Sequence, residues 1–390
     1  MITAGAPPLV LLRAGAVFAP EPLGARDLLL GGGRILAMAA DLRGAAAALG
    51  VTRRIESPSG KVIPGLIDQH MHFIGGGEAS GPCARMPELS AEEILGAGVT
   101  TAGSLLGTEI EAKTLRLLLR KAHELDAAGL STFIYTGSMQ LPALHLCGSV
   151  RSDIMLIEKV LGAKTAIAEA LYPNLDFPRL AALAGELGQA RAVTGKSAVL
   201  HVHVGRLKEG LLPLFDLLER VDFPIDQVIP THVNRSPDQF AVFEQGIRFA
   251  RQGGVIDFTC CLGPLDGIPA GFDVIAAVRR ALDAGVPLAN LTLSSDAGVA
   301  VPAMNRPGSV RPVEPSILLR DLRRLVHEGG LGWHEALPLV TSNVARVLRL
   351  GDRKGGVRVG MDADLLLLDE ADKIALVIAR GQLFGELDKP

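Results

Sequence analysis

The chain is poor in aromatic residues, which make up 4% of its 390 residues, and neither charge is in clear excess. Its 39 Lys plus Arg stand against 42 Asp plus Glu, a formal net charge of -3. With no basic field to neutralise a phosphate backbone, nucleic acid is not an expected partner. Only 4 cysteines occur, Cys83, Cys147, Cys260 and Cys261. They lack the CxxC spacing of a zinc ribbon and the density of a secreted disulfide framework, so free thiols in a reducing compartment are expected. No uncharged apolar run reaches the roughly 18 residues that suggest a membrane-spanning helix. The opening stretch, Met1 to Gly15, has no basic segment ahead of its apolar run, which argues against a signal peptide. A cytoplasmic protein without a membrane partner is the expectation. Internal repeats and low-complexity tracts are also missing.

What is present is apolar mass: 48% hydrophobic residues and 45 glycines. A chain of this length is too long for one core and suits a large domain plus a small one. Residues 1–60 hold short strand-like runs, with Gly31-Gly32-Gly33 as a hairpin signal and an alanine-rich turn of helix or loop at Ala40 to Gly50. Residues 350–390 again read as short strands, Ala363 to Leu368 and Ala375 to Ala379 being the most apolar. Between them, in residues 61–349, strand-like runs alternate with helical ones, which favours parallel α/β over all-β or all-α. Strands are expected at Val62 to Ile67, Val99 to Ser104, Ser131 to Thr136, around Lys164, and at Ser197 to Val204, Val228 to His232, Gly254 to Thr259 and Leu291 to Ser295. Helices are expected at Glu109 to Ala128, Pro178 to Ala190, Asp273 to Ala284 and Trp333 to Leu350, among others. Ser90 with Glu93 three residues on reads as a capping box.

The most informative stretch is Gly65 to Phe73, which carries His70 and His72. Residues i and i+2 of a strand share a face. Two imidazoles therefore emerge together at the carboxyl end of a core strand, where an α/β barrel keeps its chemistry. An HxH by itself is weak evidence for a metal, and two histidines in a polar loop is the plain alternative. His201 and His203 repeat the spacing on a later strand.

Other stretches add to it. PGLIDQHMHFIGGGEA at Pro64 to Ala79, LLGTE at Leu105 to Glu109, GSVRSDIMLIEKVLGAK at Gly148 to Lys164, HVG at His203 to Gly205, PTHVNR at Pro230 to Arg235, LSSD at Leu293 to Asp296 and GMDADLLLLD at Gly360 to Asp369 span most of the sequence. On these motifs the chain resembles the amidohydrolase superfamily, and within it the isoaspartyl (beta-aspartyl) dipeptidases. The resemblance implies a (β/α)8 TIM barrel over 61–349 with a small β-sandwich domain built from both termini, 1–60 and 350–390. It implies two zinc ions per chain held by His70, His72, Lys164, His203, His232 and Asp296, with Lys164 carboxylated by carbon dioxide to a carbamate that bridges both metals. Imidazole and carboxylate donors suit zinc, and burial favours the neutral amine that such a reaction needs. Asp296 would take the proton of a metal-bridging hydroxide and pass it to the leaving nitrogen. The glycine run Gly75, Gly76, Gly77, with Glu78 and Thr108, would hold the aspartyl part of a dipeptide-like substrate. Arg235 would read its carboxylate, as a guanidinium fork does better than an ammonium. A homo-oligomer is implied too.

Departures from the family pattern are equally specific. Met139 stands where a tyrosine polarises the scissile carbonyl, Leu171 where a second arginine binds carboxylate, and Ala300 where a serine is usual. Each removes a polar group from the substrate shell and leaves the metal set whole. Tyr135 is a candidate replacement for the missing tyrosine. The expected activity is a zinc-dependent amide hydrolase acting on a small amino-acid derivative. Hydrolysis of a cyclic amide, deamination, and a non-catalytic metal-containing structural protein are the alternatives.

Overall fold

The computed structural model describes residues 9–77, 81–172, 176–235, 240–268, 272–304, 306 and 308–385. Two sheets organise them. The first joins both ends of the chain: β1 (Val10–Phe18), β2 (Pro22–Gly31), β3 (Arg34–Ala39) and β4 (Arg53–Pro64) from the N-terminal side. Gly32 and Gly33, at φ 57° and 79°, form the β2–β3 turn, which needs residues tolerant of positive φ.

The second sheet is eight parallel strands in sequence order: β5 (Leu66–Met71), β6 (Val99–Ser104), β7 (Ser131–Gly137), β8 (Val160–Ile167), β9 (Val199–Val204), β10 (Val228–Thr231), β11 (Ile256–Thr259) and β12 (Leu291–Ser294). Most are fully buried, as strands covered on both faces must be, and this explains their continuous apolar runs. A short hairpin, β13 (Ala300–Pro302) with β14 (Val310–Pro312), follows. The chain then returns to the first sheet as β15 (Leu365–Leu368), β16 (Ile374–Ala379) and β17 (Gln382–Phe384). That sheet has the order β17-β16-β15-β4-β1-β2-β3 and curls over one apolar core, in which Leu12 and Leu30 meet Leu367 and Ile378. Its pairs are antiparallel except β1 with β4.

The eight-stranded sheet closes into a barrel at a seam between β5 and the end of β12. The Asp296 N–H donates to the His70 carbonyl at 3.0 Å, and the His72 N–H to the Ala297 carbonyl at 2.7 Å. The N-terminal end is filled by Ile67, Phe133, Tyr135, Val199, Ile229 and Val255, stacked on Val344 and Val347 of the helix Ser342–Val347.

Several elements differ from the sequence expectation, each for a local reason. The run Val62 to Ile67 is not one barrel strand: Val62–Pro64 pairs with β15 in the first sheet, and the barrel begins at Leu66. The helix expected from Glu109 starts at Leu115, because the Thr114 hydroxyl caps the Leu117 N–H. The helix expected over Trp333 to Leu350 is broken around Pro338 and Thr341, whose φ of -140° is not helical. The Ser90–Glu93 capping box is present and opens Ala91–Gly96. Phe177–Thr194 is bounded as its sequence dictates: Asp176 caps it, Pro178 sits in its first turn, and Gly195 ends it in the left-handed region.

Candidate metal and substrate site

The barrel seam decides the site. Because β5 and the end of β12 share backbone hydrogen bonds, Asp296 lands beside the two histidines of the HxH. Asp296 Oδ1 lies 3.1 Å from His72 Nε2 and 3.3 Å from His70 Nε2. One ligand atom from each of His70, His72 and Asp296 falls within 4.8 Å of the others. The His232 ring centre is 4.9 Å from that of His70 and 4.7 Å from that of His203. Lys164, 1% exposed, ends the group on the β8 side.

Two of these residues carry unusual backbone. His232 and Asp296 have φ of 64° and 58° without being glycine. A left-handed conformation disfavours an L residue by about 1–2 kcal/mol, and such strain gathers where function fixes a side chain. Glycines stand behind two others. A Cβ at Gly137 (φ 83°) would come within 2.4 Å of the Lys164 carbonyl, and one at Gly298 (φ 87°) within 2.5 Å of the His72 carbonyl.

Electrostatics follow from burial. His70 is pushed down to about 3 by desolvation, with the Lys164 charge adding to it. His203 and His232 are driven well below the ordinary histidine value, again chiefly by burial, so these rings are neutral at pH 7. Burial lowers Lys164 to about 7, against the opposing pull of Asp296. Burial alone would raise Asp296, but His70 and His72 outweigh it and hold the carboxyl well below its usual range. Neutral imidazoles, an ionised carboxylate and an amine poised near neutrality form a donor set that fits divalent metal ions. The Nε2 atoms of His70 and His72 both face Asp296 Oδ1, as ring nitrogens sharing a cation with that carboxylate would.

The substrate-side residues are placed less uniformly. A Cβ on Gly76 would touch the His72 ring at 3.1 Å, and one on Gly77 would strike Ala300 at 2.4 Å, so the glycine loop runs between the HxH and Ala300. Glu78 lies outside the described residues. Arg235 Nη1 is 3.1 Å from His203 Nε2 and 3.7 Å from Glu169 Oε2. Thr108 is half-buried, and its carbonyl accepts from the Tyr172 hydroxyl at 3.4 Å. Met139 is buried, and its carbonyl accepts from the Ala166 N–H at 3.1 Å. Leu171 is 60% exposed. Tyr135 is fully buried beneath the histidines, stacked on His201 at 4.8 Å, and does not reach the mouth of the barrel as a substitute tyrosine would.

Sequence reasoning missed the residues that brace the site. Glu169 Oε2 lies 3.3 Å from His203 Nε2. Thr259 Oγ1 lies 2.7 Å from His232 Nδ1. Asp68 accepts from the His70 and Ser295 N–H groups and so spans the seam. Below them Asp257 accepts from Gln69 Nε2 at 2.7 Å, Thr231 Oγ1 at 2.7 Å, Thr292 Oγ1 at 2.8 Å and Ser294 Oγ at 2.5 Å.

The fold finds counterparts among solved structures. A beta-aspartyl dipeptidase from Fervidobacterium islandicum AW-1, solved in complex with the beta-Asp-Leu dipeptide, is 32% identical over 97% of this chain and 97% of its own, with a TM-score of 0.86. The chain belongs to the amidohydrolase family. A family model described as "Amidohydrolase family" matches residues 232–380. Within the family the chain is isoaspartyl-dipeptidase-like. Likeness in fold alone extends further. A putative prolidase from Bifidobacterium longum is 19% identical, covers 98% of this chain and 95% of its own, and has a TM-score of 0.62. An ochratoxinase from A. niger is 16% identical, covers 99% and 97%, and has a TM-score of 0.63. No helix among the described residues of this amidohydrolase is long and apolar enough to cross a membrane.

Proposed function

We propose that this amidohydrolase is a binuclear, zinc-dependent amide hydrolase of isoaspartyl-dipeptidase type that cleaves a small amino-acid-derived amide. The observation that carries this reading is the meeting of His70, His72 and Asp296 at the barrel seam, above a buried Lys164. His70, His72, Lys164, His203, His232 and Asp296 would hold the two zinc ions, with Lys164 as the carbamate formed from carbon dioxide. Bound there, the metals would supply Lewis acidity, acidifying water and polarising a carbonyl. Residues 61–349 form the catalytic unit, supported by 1–60 with 350–390, in a cytoplasmic homo-oligomer.

The chain's own residues do the rest. Asp296 rests ionised, as a general base must, and accepts the proton of the attacking water. It then returns that proton to the nitrogen leaving the cleaved amide. Arg235 pairs with a substrate carboxylate, exchanging its contact with Glu169 for a bidentate one. Gly75 to Gly77 leave room for backbone to approach the substrate, and Glu78 and Thr108 hold its amino end. Met139, Leu171 and Ala300 supply no polar partner, so the far side of the substrate is less anionic than an ordinary isoaspartyl dipeptide. A buried charge left without its partner is penalised by several kcal/mol.

The test is metal content together with kcat/KM on amides that vary only in the remainder. About two zinc ions per chain are expected, with β-Asp-Leu turned over below roughly 10⁴ M⁻¹s⁻¹, the floor of the usual enzyme range. Leu171→Arg with Met139→Tyr should raise that value. No transition metal after reconstitution with zinc and bicarbonate defeats the metal reading. Wild-type turnover of β-Asp-Leu above that floor defeats the altered pocket and leaves a simple isoaspartyl dipeptidase.

A further inference from the structure

A cavity of about 540 Å³ lies between the helix Ile317–His327, the end of the helix Ala91–Gly96 and Ile374 of β16. No residue of the proposed metal and substrate site lines it. Arg320, Arg323, Arg324 and His327 do, at the i, i+3, i+4 and i+7 spacing that gathers side chains on one helix face. Glu328 is the one acid among the described lining residues.

Three of these four side chains have a carboxylate of their own. Arg320 holds Asp266 through both terminal nitrogens, at 2.8 and 3.0 Å, and its Nε reaches Asp321 at 2.8 Å. Arg324 Nη1 donates to Asp273 at 3.0 Å and to Asp321 at 3.3 Å, and its Nε to Glu328 at 3.3 Å. His327 Nε2 lies 2.8 Å from Asp372. Arg323 is the exception. Its Nη2 donates to the Ala371 carbonyl at 3.1 Å, and no carboxylate pairs with it among the described residues. Its Nε is buried without a hydrogen-bond partner there.

A half-buried guanidinium between two other arginines is therefore left uncompensated. A charge taken out of water without a counter-charge is unfavourable, so stability alone does not account for Arg323. An anion drawn into the cavity does. A guanidinium offers paired N–H groups in the fork that phosphate and carboxylate oxygens match, and the cavity has the size of a small-molecule site. We propose that this cavity binds a small oxyanion, a molecule bearing a phosphate or a carboxylate group, with Arg323 as its anchor and Arg320 and Arg324 adding positive field on either side. The site is independent of the metal-site reading above.

The experiment is calorimetric titration of the metal-loaded protein with inorganic phosphate and, separately, with succinate, at fixed ionic strength. Wild type should bind at least one of them saturably, and the tighter of the two identifies the group. Arg323→Met removes the charge and keeps an unbranched side chain; it should weaken that binding about 10–100-fold, as loss of hydrogen bonds to a charged group implies. Arg323→Lys keeps the charge without the fork and should fall between the two. An anion bound at the metals instead would inhibit hydrolysis and bind Arg323→Met as tightly as wild type. Affinity within twofold of wild type in Arg323→Met therefore overturns the proposal, and so does wild type without saturable binding of either anion. Anion-free stability is a second readout, which a structural role would move the other way. Removing an uncompensated charge should leave the urea midpoint of Arg323→Met at or above that of wild type. A midpoint well below wild type, or a variant that fails to fold, marks Arg323 as a structural residue and overturns the proposal too.

Discussion

Replacing Asp257 by alanine tests whether the polar layer under the site holds the barrel together. The carboxylate is fully buried, and burial pushes its pKa up although four donors pull the other way. Its donors would not suffer equally. Gln69 Nε2 also donates to Thr292 Oγ1 at 2.8 Å, and Thr292 Oγ1 also faces the Ile256 carbonyl at 3.4 Å, so each keeps a second partner. For Thr231 and Ser294 no second side-chain hydrogen bond among the described residues replaces Asp257. Two buried hydroxyls left unsatisfied at about 1–3 kcal/mol each give a loss of about 2–6 kcal/mol. Relief of a buried charge offsets part of this, which leaves about 3 kcal/mol. Asp257→Asn keeps one acceptor oxygen, and its amide N–H can meet rotated hydroxyls, so about 1 kcal/mol is expected. Urea unfolding of the metal-free chain at pH 7 measures both, through the midpoint at unchanged slope. An alanine variant within about 1 kcal/mol of wild type, or an asparagine variant as damaged as the alanine one, refutes the reasoning.

Three other outcomes follow from particular contacts. Gly298→Ala would drive a Cβ against the His72 carbonyl at 2.5 Å from a positive φ, so thermal melting should report about 2–4 kcal/mol of destabilisation, with zinc content reduced as His72 shifts. Tyr135→Phe should leave kcat/KM on the best amide within a few-fold of wild type, because the hydroxyl lies below the histidines; a loss of about 10²-fold would instead mark it as an oxyanion donor. Burial opposes the charge of Asp362, but Lys354 at 2.9 Å and Arg353 at 3.0 Å outweigh it and hold its pKa below the usual range. The unfolded chain therefore binds more protons on acidification, and this stabilisation is present above the unfolded value and lost as pH falls through the folded one. Asp362→Asn should lower the urea midpoint at pH 7 and flatten the decline below about pH 4; an unchanged acid limb would count against the assignment.

Most candidate ligands were legible in the sequence because they stand at the ends of strands, and strands covered on both faces announce themselves as apolar runs. His70, His203, His232 and Asp296 stand at or just past the ends of β5, β9, β10 and β12, whereas Lys164, expected at a strand end, lies inside β8, which runs on to Ile167. Their bracing partners were not legible, because register chooses them. Thr231 pairs with Asp257, and Asp257 with Thr292, so three inward side chains line up across neighbouring strands and one carboxylate serves them all. No local pattern marks Asp257 in Ile256–Thr259 as that hub. Closure has the same character: Asp296 meets His70 only because the Asp296 N–H donates to the His70 carbonyl at the seam. The boundary error at Val62 to Ile67 arises from the opposite cause. An apolar run reports burial and not the sheet that provides it, and the chain passes from one sheet to the next across Gly65. That glycine is itself forced, since a Cβ there would meet the Thr100 hydroxyl oxygen at 2.2 Å. The small sheet thus delivers β5 directly into the barrel wall one residue after β4 ends, and the position of the HxH is set from outside the barrel as well as within it.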